Sequence, residues 1–101
     1  MPYNVFILDE AKREYRSIID YQAKVLGSSQ AAGEFLEEFR AQVDRISADP
    51  FIFARSRLPE LAARDYRVAL VKSYVFLYKV EDQNIFIAHL FHQTQDYARL
   101  V

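Results

Sequence analysis

The last third of the sequence constrains the fold most, because it contains three consecutive strand patterns separated by very short turns. These patterns cover residues 66–71, 74–80 and 85–91, and a short polar tail follows them. Strands joined by such short turns must run antiparallel, since parallel strands need a crossover of about a dozen residues or more. This part of the chain is therefore predicted to form an antiparallel meander of three strands.

Two helical patterns precede the meander. The first covers residues 10–26, with Asp9 as the expected N-cap and Gly27 as the residue that ends the helix. The second begins after Ser28 or Ser29 and ends before Pro50. Its apolar residues follow the spacing of one helical face, namely Ala32, Phe35, Leu36, Phe39, Val43 and Ile46. Because only about two residues join the helices, they are expected to form an antiparallel hairpin that lies on a sheet.

A short apolar segment and a long loop complete the predicted order of elements. The Val and Ile content of residues 3–8 favours a strand buried on both faces. Residues 51–64 show no clear period and are predicted to form a loop with one helical turn at residues 60–63. The resulting order, β-α-α-β-β-β, is typical of an α+β fold, with the helical hairpin on one face of a small, mainly antiparallel sheet.

Length and composition limit what the chain can be. The 101 residues are predicted to form a single domain, residues 1–101, because no second core is plausible at this length. The absence of cysteine excludes disulfides, thiolate catalysis and the common zinc-finger patterns. No apolar run approaches the ~20 residues of a membrane span, so a cytoplasmic protein is expected. The net charge of −1 differs from the strongly basic balance of dedicated nucleic-acid binders.

Arg67 is a charged residue in an otherwise apolar strand pattern. Such a residue either emerges at an open surface or pairs with an acid. Two interpretations stay open: an anion clamp for a phosphate or an acidic partner segment, and a structural salt bridge. The face of the sheet opposite the helices, bearing Arg67 and the C-terminal tail, is the expected working surface.

Two histidines and a tyrosine complete the set of candidate residues. His89 and His92 are three apart, so on a strand they point to opposite faces and cannot bind one metal ion together. No metal or other cofactor is expected, and with only two glycines a nucleotide-binding turn is not expected either. No small-molecule substrate is expected. His92 lies at a strand end, where an imidazole can reach solvent and take part in acid–base chemistry; a structural role is the alternative. Tyr97 is either a rim aromatic or a partner in that chemistry.

Several short motifs occur in a fixed order along the chain. They are Asp20-Tyr21, Ala31-Ala32, Asp49-Pro50, Tyr66-Arg67, the segment 74–80, and His92 followed by Gln95-Asp96-Tyr97. Together, in this order and at this spacing, they resemble the RelE/ParE superfamily of small toxins from bacterial type II toxin–antitoxin pairs. The resemblance covers nearly the whole chain. It implies a growth-inhibiting toxin that a cognate antitoxin holds inactive.

The activities of this superfamily divide into two classes. RelE-like members cut messenger RNA on the ribosome, whereas ParE-like members inhibit DNA gyrase without hydrolysing anything. The resemblance implies that Arg67 matches the strand arginine of RelE-like enzymes, and that His92 and Tyr97 lie in the region of their C-terminal catalytic residues. Many members carry an arginine shortly after the residue that matches His92, whereas this chain has Thr94 and Gln95, and neither is cationic. The implied target is gyrase or translation; the alternative is a ribosome-dependent mRNA endonuclease using Arg67 with His92 or Tyr97.

The implied antitoxin needs a surface to bind. The groove between the helical hairpin and the sheet edge is expected to accept an extended or helical antitoxin segment. The apolar excess of so small a chain favours this prediction, and Phe51, Phe53 and Leu58 are candidates for exposed apolar residues.

Overall fold

The computed structural model describes residues 3–101; Met1 and Pro2, which the predicted domain includes, lie outside the described residues. The elements, in chain order, are β1 (Asn4–Ile7), α1 (Asp9–Asp20), a π-helical turn (Tyr21–Val25), α2 (Ser29–Ala48), α3 (Pro59–Ala62), β2 (Arg67–Val71), β3 (Tyr74–Glu81), β4 (Asn84–His92) and a 3-10 turn (Tyr97–Arg99). This order confirms the predicted β-α-α-β-β-β arrangement and the α+β class. The helical turn expected in the long loop is α3.

The ends of the two long helices follow from their flanking residues. The Ser28 hydroxyl accepts a hydrogen bond from the Ala31 N–H at 3.0 Å, which confirms Ser28 as the N-cap of α2. The prediction of Asp9 as the N-cap of α1 is wrong, because Leu8 holds that position without a side-chain bond. Asp9 lies instead in the first turn, where its charge is favourable at the positive end of the helix. Gly27, with a φ of 63°, follows the π-helical turn and ends the first helical segment.

The strands form one sheet in the order β1-β4-β3-β2. The pairs β2–β3 and β3–β4 are antiparallel, whereas β1 runs parallel to β4 with Val5 opposite Ile85. The prediction that the first strand is buried on both faces is wrong. As an edge strand, β1 alternates between exposed and half-buried residues, and Phe6 keeps 47% of its surface exposed.

A bulge in β4 changes which of its residues face the helices. Tyr78 lies opposite Ile87, but the preceding Leu77 lies opposite His89, so Ala88 is an extra residue in β4. Before the bulge, Ile87 faces the helices. After it, alternate residues starting with Leu90 do so.

Apolar clusters cover both faces of the sheet. The cluster beneath α1 and α2 contains Ala11, Ile18, Phe35, Phe39, Ile46, Ala69, Val71, Phe76, Tyr78, Ile85, Ile87 and Leu90. The cluster on the opposite face contains Leu61, Tyr66, Val75, Leu77, Ala88 and Phe91, and the C-terminal tail packs against it. Among residues 3–101, no helix is long and apolar enough to cross a membrane.

Candidate functional site

Arg67 lies on the sheet face that the helices cover, which corrects the expectation that it belongs to the opposite face. On a strand, alternate residues share a face, so Arg67 points to the same side as Ala69 and Val71, which are fully buried beneath the helices. Its Nη1 donates a hydrogen bond to the Phe53 carbonyl oxygen at 2.8 Å, and its guanidinium lies 4.9 Å from the centre of the Phe51 ring. Within the described part of the chain it pairs with no carboxylate. Arg67 therefore holds the loop that follows α2.

Tyr78 holds the same loop from the neighbouring strand. It lies opposite Arg67, is fully buried, and donates a hydrogen bond from its hydroxyl to the Pro50 carbonyl oxygen at 2.8 Å. Burial raises the pKa of Tyr78 to about 12; the nearby Arg67 lowers it by less, and Asp49 raises it. The phenol therefore stays neutral and remains a donor at physiological pH. We name the segment that these two donors hold the loop 50–53.

The sequence pattern places Tyr78 in a strand but does not predict this hydrogen bond. The available signal was a tyrosine in the middle of an apolar central strand, because a buried tyrosine hydroxyl needs a partner. The identity of that partner depends on how the loop folds back, which the local sequence does not specify.

His92 lies at the end of β4, opposite Tyr74, with the two rings edge to face at 5.2 Å. Its Nδ1 accepts a hydrogen bond from the Thr94 backbone N–H at 3.2 Å and lies 2.7 Å from the Thr94 hydroxyl oxygen. With Nδ1 an acceptor, the neutral ring carries its proton on Nε2. The ring borders a small cavity of about 260 Å³, which is also lined by Glu14, Ser17, Ile18, Tyr74, Leu90, Phe91 and Gln95.

Tyr97 lies on the other side of the sheet. Its ring stacks on Phe91 at 6.1 Å with an interplanar angle of 11°, and both belong to the cluster beneath the tail. Phe91 and His92 are adjacent in β4 and so point to opposite faces. The sheet itself therefore separates Tyr97 from His92.

The three predicted site residues do not converge. Arg67 lies opposite Tyr78 and His92 lies opposite Tyr74, on the two strands that flank β3. Four residues along a strand span ~13 Å and two strand spacings span ~10 Å, so the Cα atoms of Arg67 and His92 are about 16 Å apart. Because Tyr97 lies on the far face, no single phosphate can contact all three side chains in this arrangement.

An apolar groove lies between α1, α2 and β1, as expected from the sequence. Its volume is about 410 Å³, and its apolar lining consists of Ile7, Tyr15, Leu36, Phe39 and Val43. Lys12, Arg16 and Arg40 line the same groove. Among residues 3–101, no carboxylate forms a salt bridge with any of these three cations. These cations were not predicted from the sequence, although the four-residue spacing of Lys12 and Arg16 places both on one side of a helix.

The two sheet edges near α1 differ in what they offer a partner. β4 continues past the end of β1, and side chains fill the hydrogen-bonding positions there. The Leu90 N–H donates to Glu14 Oε1 at 2.9 Å, and the His92 N–H donates to Gln95 Oε1 at 2.8 Å. In β1 the N–H groups of Asn4 and Leu8 point toward β4, so those of the intervening Val5 and Ile7 point outward. The β4 edge is closed to an added strand, whereas the β1 edge borders the groove.

Comparison with known proteins identifies a family and similar solved structures. Residues 5–97 match the model of a family described as the ParE toxin of the type II toxin-antitoxin system, parDE. A chain of the chromosomal ParDE toxin–antitoxin system from P. aeruginosa is similar, with 16% identity and a TM-score of 0.70 over 89% of this chain and 95% of that chain. A chain of the toxin–antitoxin complex RelBE2 from Mycobacterium tuberculosis has 17% identity and a TM-score of 0.60 over 91% of this chain and 99% of that chain. No match is found among curated proteins.

Proposed function

Since this chain belongs to the ParE family of toxins from type II toxin–antitoxin systems, we propose that it arrests bacterial growth by binding DNA gyrase, without cutting nucleic acid. The separation of Arg67, His92 and Tyr97 supports the proposal that the chain does not cut nucleic acid. Cleaving a phosphodiester without a metal requires a base, an acid and positive charge at one phosphate. Residues whose backbone positions lie about 16 Å apart, with Tyr97 on the far face of the sheet, do not provide that combination. A binding inhibitor needs only a complementary surface.

The test separates inhibition from cleavage. The chain is induced alone in a bacterial host, messages are recovered for primer extension, and the purified chain is assayed for inhibition of gyrase supercoiling. We expect growth arrest and gyrase inhibition, with no ribosome-dependent cuts. His92→Ala and Tyr97→Phe should keep both effects. Cuts within coding regions that vanish in these two variants would establish the endonuclease alternative instead.

We further propose that the groove between α1, α2 and β1 receives the cognate antitoxin. The apolar lining offers burial to apolar side chains of a partner segment, which is the main source of favourable free energy in association. Lys12, Arg16 and Arg40 lack acidic partners within the described residues and favour a segment that also carries carboxylates. The outward groups of β1 allow that segment to add as a strand. The partner is therefore an apolar segment with acidic residues.

A pair of charge reversals tests the groove. Co-expression with the adjacent reading frame should give a complex on size exclusion, and Arg16→Glu should weaken it by tenfold or more. Arg57→Glu makes the same change of charge at an exposed loop residue outside the groove, and should leave the affinity within about twofold. Equal weakening by both variants would exclude the groove as the docking site.

A further inference from the structure

We propose that the loop 50–53 is the element with which the chain contacts the protein it inhibits, by inserting Phe51 and Ile52 into an apolar pocket of that protein. This inference rests on the proposed function, in which the chain acts by binding. It assigns the contact to a place separate from the groove that receives the antitoxin.

The first observation is exposure. Phe51 keeps 55% and Ile52 keeps 53% of its surface in contact with water, although both are large apolar residues adjacent in sequence. A single exposed apolar side chain is ordinary on a protein surface, and so needs no explanation. Two adjacent ones at a loop tip favour association with an apolar surface, because burying them would remove that area from water.

The second observation is the way the loop is held. Tyr78 donates to the Pro50 carbonyl oxygen and Arg67 donates to the Phe53 carbonyl oxygen, both at 2.8 Å, so each end of the loop is fixed from the sheet beneath it. The Asp49 carboxylate accepts from the Phe51 N–H at 3.2 Å.

Packing around the Phe51 ring completes the support. Arg67 lies 4.9 Å from the centre of the ring, and Tyr3 packs edge to face against it at 6.5 Å. The loop is thus preorganised, and a preorganised segment loses less conformational entropy when it binds.

The size of the tip argues against a second copy of this chain as the occupant. A stable dimer interface buries about 800 Å² on each partner, far more than two side chains expose. The exposed side chains of Phe51 and Ile52 instead match a binding hot spot, in which a few aromatic or aliphatic residues fill a pocket and contribute most of the binding energy.

Position and charge argue against the antitoxin as the occupant. Phe51 contacts Tyr3, which directly precedes β1, whereas the groove reaches β1 at Ile7. Four residues along a strand span ~13 Å, so the tip lies well away from the groove and its three unpaired cations. At the tip, Asp49 accepts from the Phe51 N–H and Arg67 lies against the Phe51 ring, so their formal charges sum to zero and offer no excess positive charge to an acidic segment. The occupant that these features fit is an uncharged, apolar pocket.

The experiment uses Ile52→Ser in the full chain, because the Ile52 side chain is exposed and its replacement leaves the core intact. Val25→Ser is the matched control, since Val25 and Leu26, 68% and 57% exposed, form a second adjacent pair of exposed apolar residues at the far tip of the helical hairpin. For each variant we measure thermal melting, antitoxin affinity, growth arrest and the concentration that inhibits gyrase supercoiling. Ile52→Ser should raise the inhibitory concentration at least tenfold and abolish growth arrest, with melting and antitoxin affinity unchanged. Val25→Ser should behave as the wild type.

Several outcomes would overturn the inference. If Ile52→Ser inhibits gyrase as well as the wild type does, the loop does not form the contact. The same follows if Val25→Ser loses as much inhibition as Ile52→Ser. Loss of antitoxin affinity in Ile52→Ser would assign the loop to the antitoxin interface instead. If the wild type arrests growth without inhibiting gyrase, the proposed target is wrong, but growth arrest still tests whether the loop forms the contact. In that case arrest abolished by Ile52→Ser alone supports the contact, and arrest that persists overturns it.

Discussion

Arg67 and Tyr78 lie in strands of the sheet, but their polar groups form hydrogen bonds with a loop. From neighbouring strands, the Tyr78 hydroxyl and the Arg67 guanidinium donate hydrogen bonds to the carbonyl oxygens of Pro50 and Phe53, at the two ends of the loop 50–53. Such groups destabilise a core if they lose their partners, so their hydrogen bonds fix one loop conformation.

Replacing Tyr78 with Phe should therefore destabilise the fold and remove a pH dependence. The Pro50 carbonyl oxygen loses its donor, at a cost of about 1–3 kcal/mol in the free energy of unfolding at pH 7. Because burial raises the pKa of Tyr78 to about 12, from an ordinary value of 10.0, the stabilisation is fully present below pH 10 and is lost as pH rises through 12. The difference in urea midpoint between wild type and Tyr78→Phe should shrink over that interval. A difference that stays constant to pH 12 contradicts this account.

Arg67→Ala distinguishes loop support from anion binding. Removing a charged donor from the Phe53 carbonyl oxygen should lower the free energy of unfolding by about 1.5–3 kcal/mol and weaken growth arrest together. Arg67→Lys keeps the charge and one donor but not the planar fork, and should restore part of both. Thermal melting beside growth curves measures the two effects. Lost toxicity with unchanged melting would instead support the anion clamp considered from the sequence.

The residue-scale errors have a specific physical origin. The grouping of Arg67 with Ala69 and Val71 follows from strand geometry alone, and the structure agrees with it. The other side of the strand, with Tyr66 and Val68, is equally apolar, so the pattern does not tell which side the helices cover. The face of Arg67 and its distance from His92 were therefore not predictable from local sequence.

At the level of elements, the sheet edges control where another chain can add. Glu14 in α1 fills the hydrogen-bonding position of Leu90 on the free edge of β4, and Gln95 does the same for His92. Unpaired strand edges promote aggregation, and side chains that block them prevent it. The remaining accessible edge near α1 is β1, which borders the proposed antitoxin groove.

Glu14→Ala should open the β4 edge. The Leu90 N–H loses its acceptor, which should lower the free energy of unfolding by about 1–3 kcal/mol and promote self-association. Glu14→Gln keeps an acceptor oxygen at the same position and should remain close to the wild type. Urea denaturation and light scattering at increasing concentration measure the two effects. An Ala variant as stable and monodisperse as the Gln variant would show that the bond does not protect the edge.

Element prediction succeeded where the signal is local. The helical hairpin follows from a short link with a serine cap, and the meander follows from strand patterns with short turns. The edge position of β1 was missed because it depends on which strand pairs with it, and that partner lies at the other end of the chain. The bulge at Ala88 was missed because the apolar pattern of β4 continues through it on both faces.

Across the whole molecule, the groove and the loop 50–53 offer two kinds of surface. The groove combines apolar lining with three cations, whereas the loop tip is apolar and its supporting charges cancel. Salt screens exposed charges over about 10 Å at 0.1 M ionic strength, and so affects the two surfaces differently.

Salt dependence should therefore separate antitoxin binding from target binding. Raising ionic strength from 0.05 to 0.5 M, roughly a threefold reduction in screening length, should slow antitoxin association several-fold and leave gyrase inhibition nearly unchanged. Arg16→Glu should reduce the salt dependence of antitoxin association. Association rates measured by surface plasmon resonance, beside supercoiling assays in matched buffers, provide the comparison. If salt weakens antitoxin association and gyrase inhibition equally, the groove and the loop 50–53 do not have these separate roles.

Because the first strand pairs with the last, a newly synthesised chain cannot complete its sheet until β4 has been made. Asn4 and its neighbour across the sheet, Asn84, are 80 residues apart in sequence. At a synthesis rate of about 5–20 residues per second, the first strand waits some 4–16 s on the ribosome for its partner. During that interval the sheet that holds the loop 50–53 is incomplete, because β4 is the strand that pairs with both β3 and β1. Stalled or truncated translation products that end before β4 are therefore expected to be harmless, and a co-translated antitoxin has seconds to accumulate before the toxin it must neutralise exists.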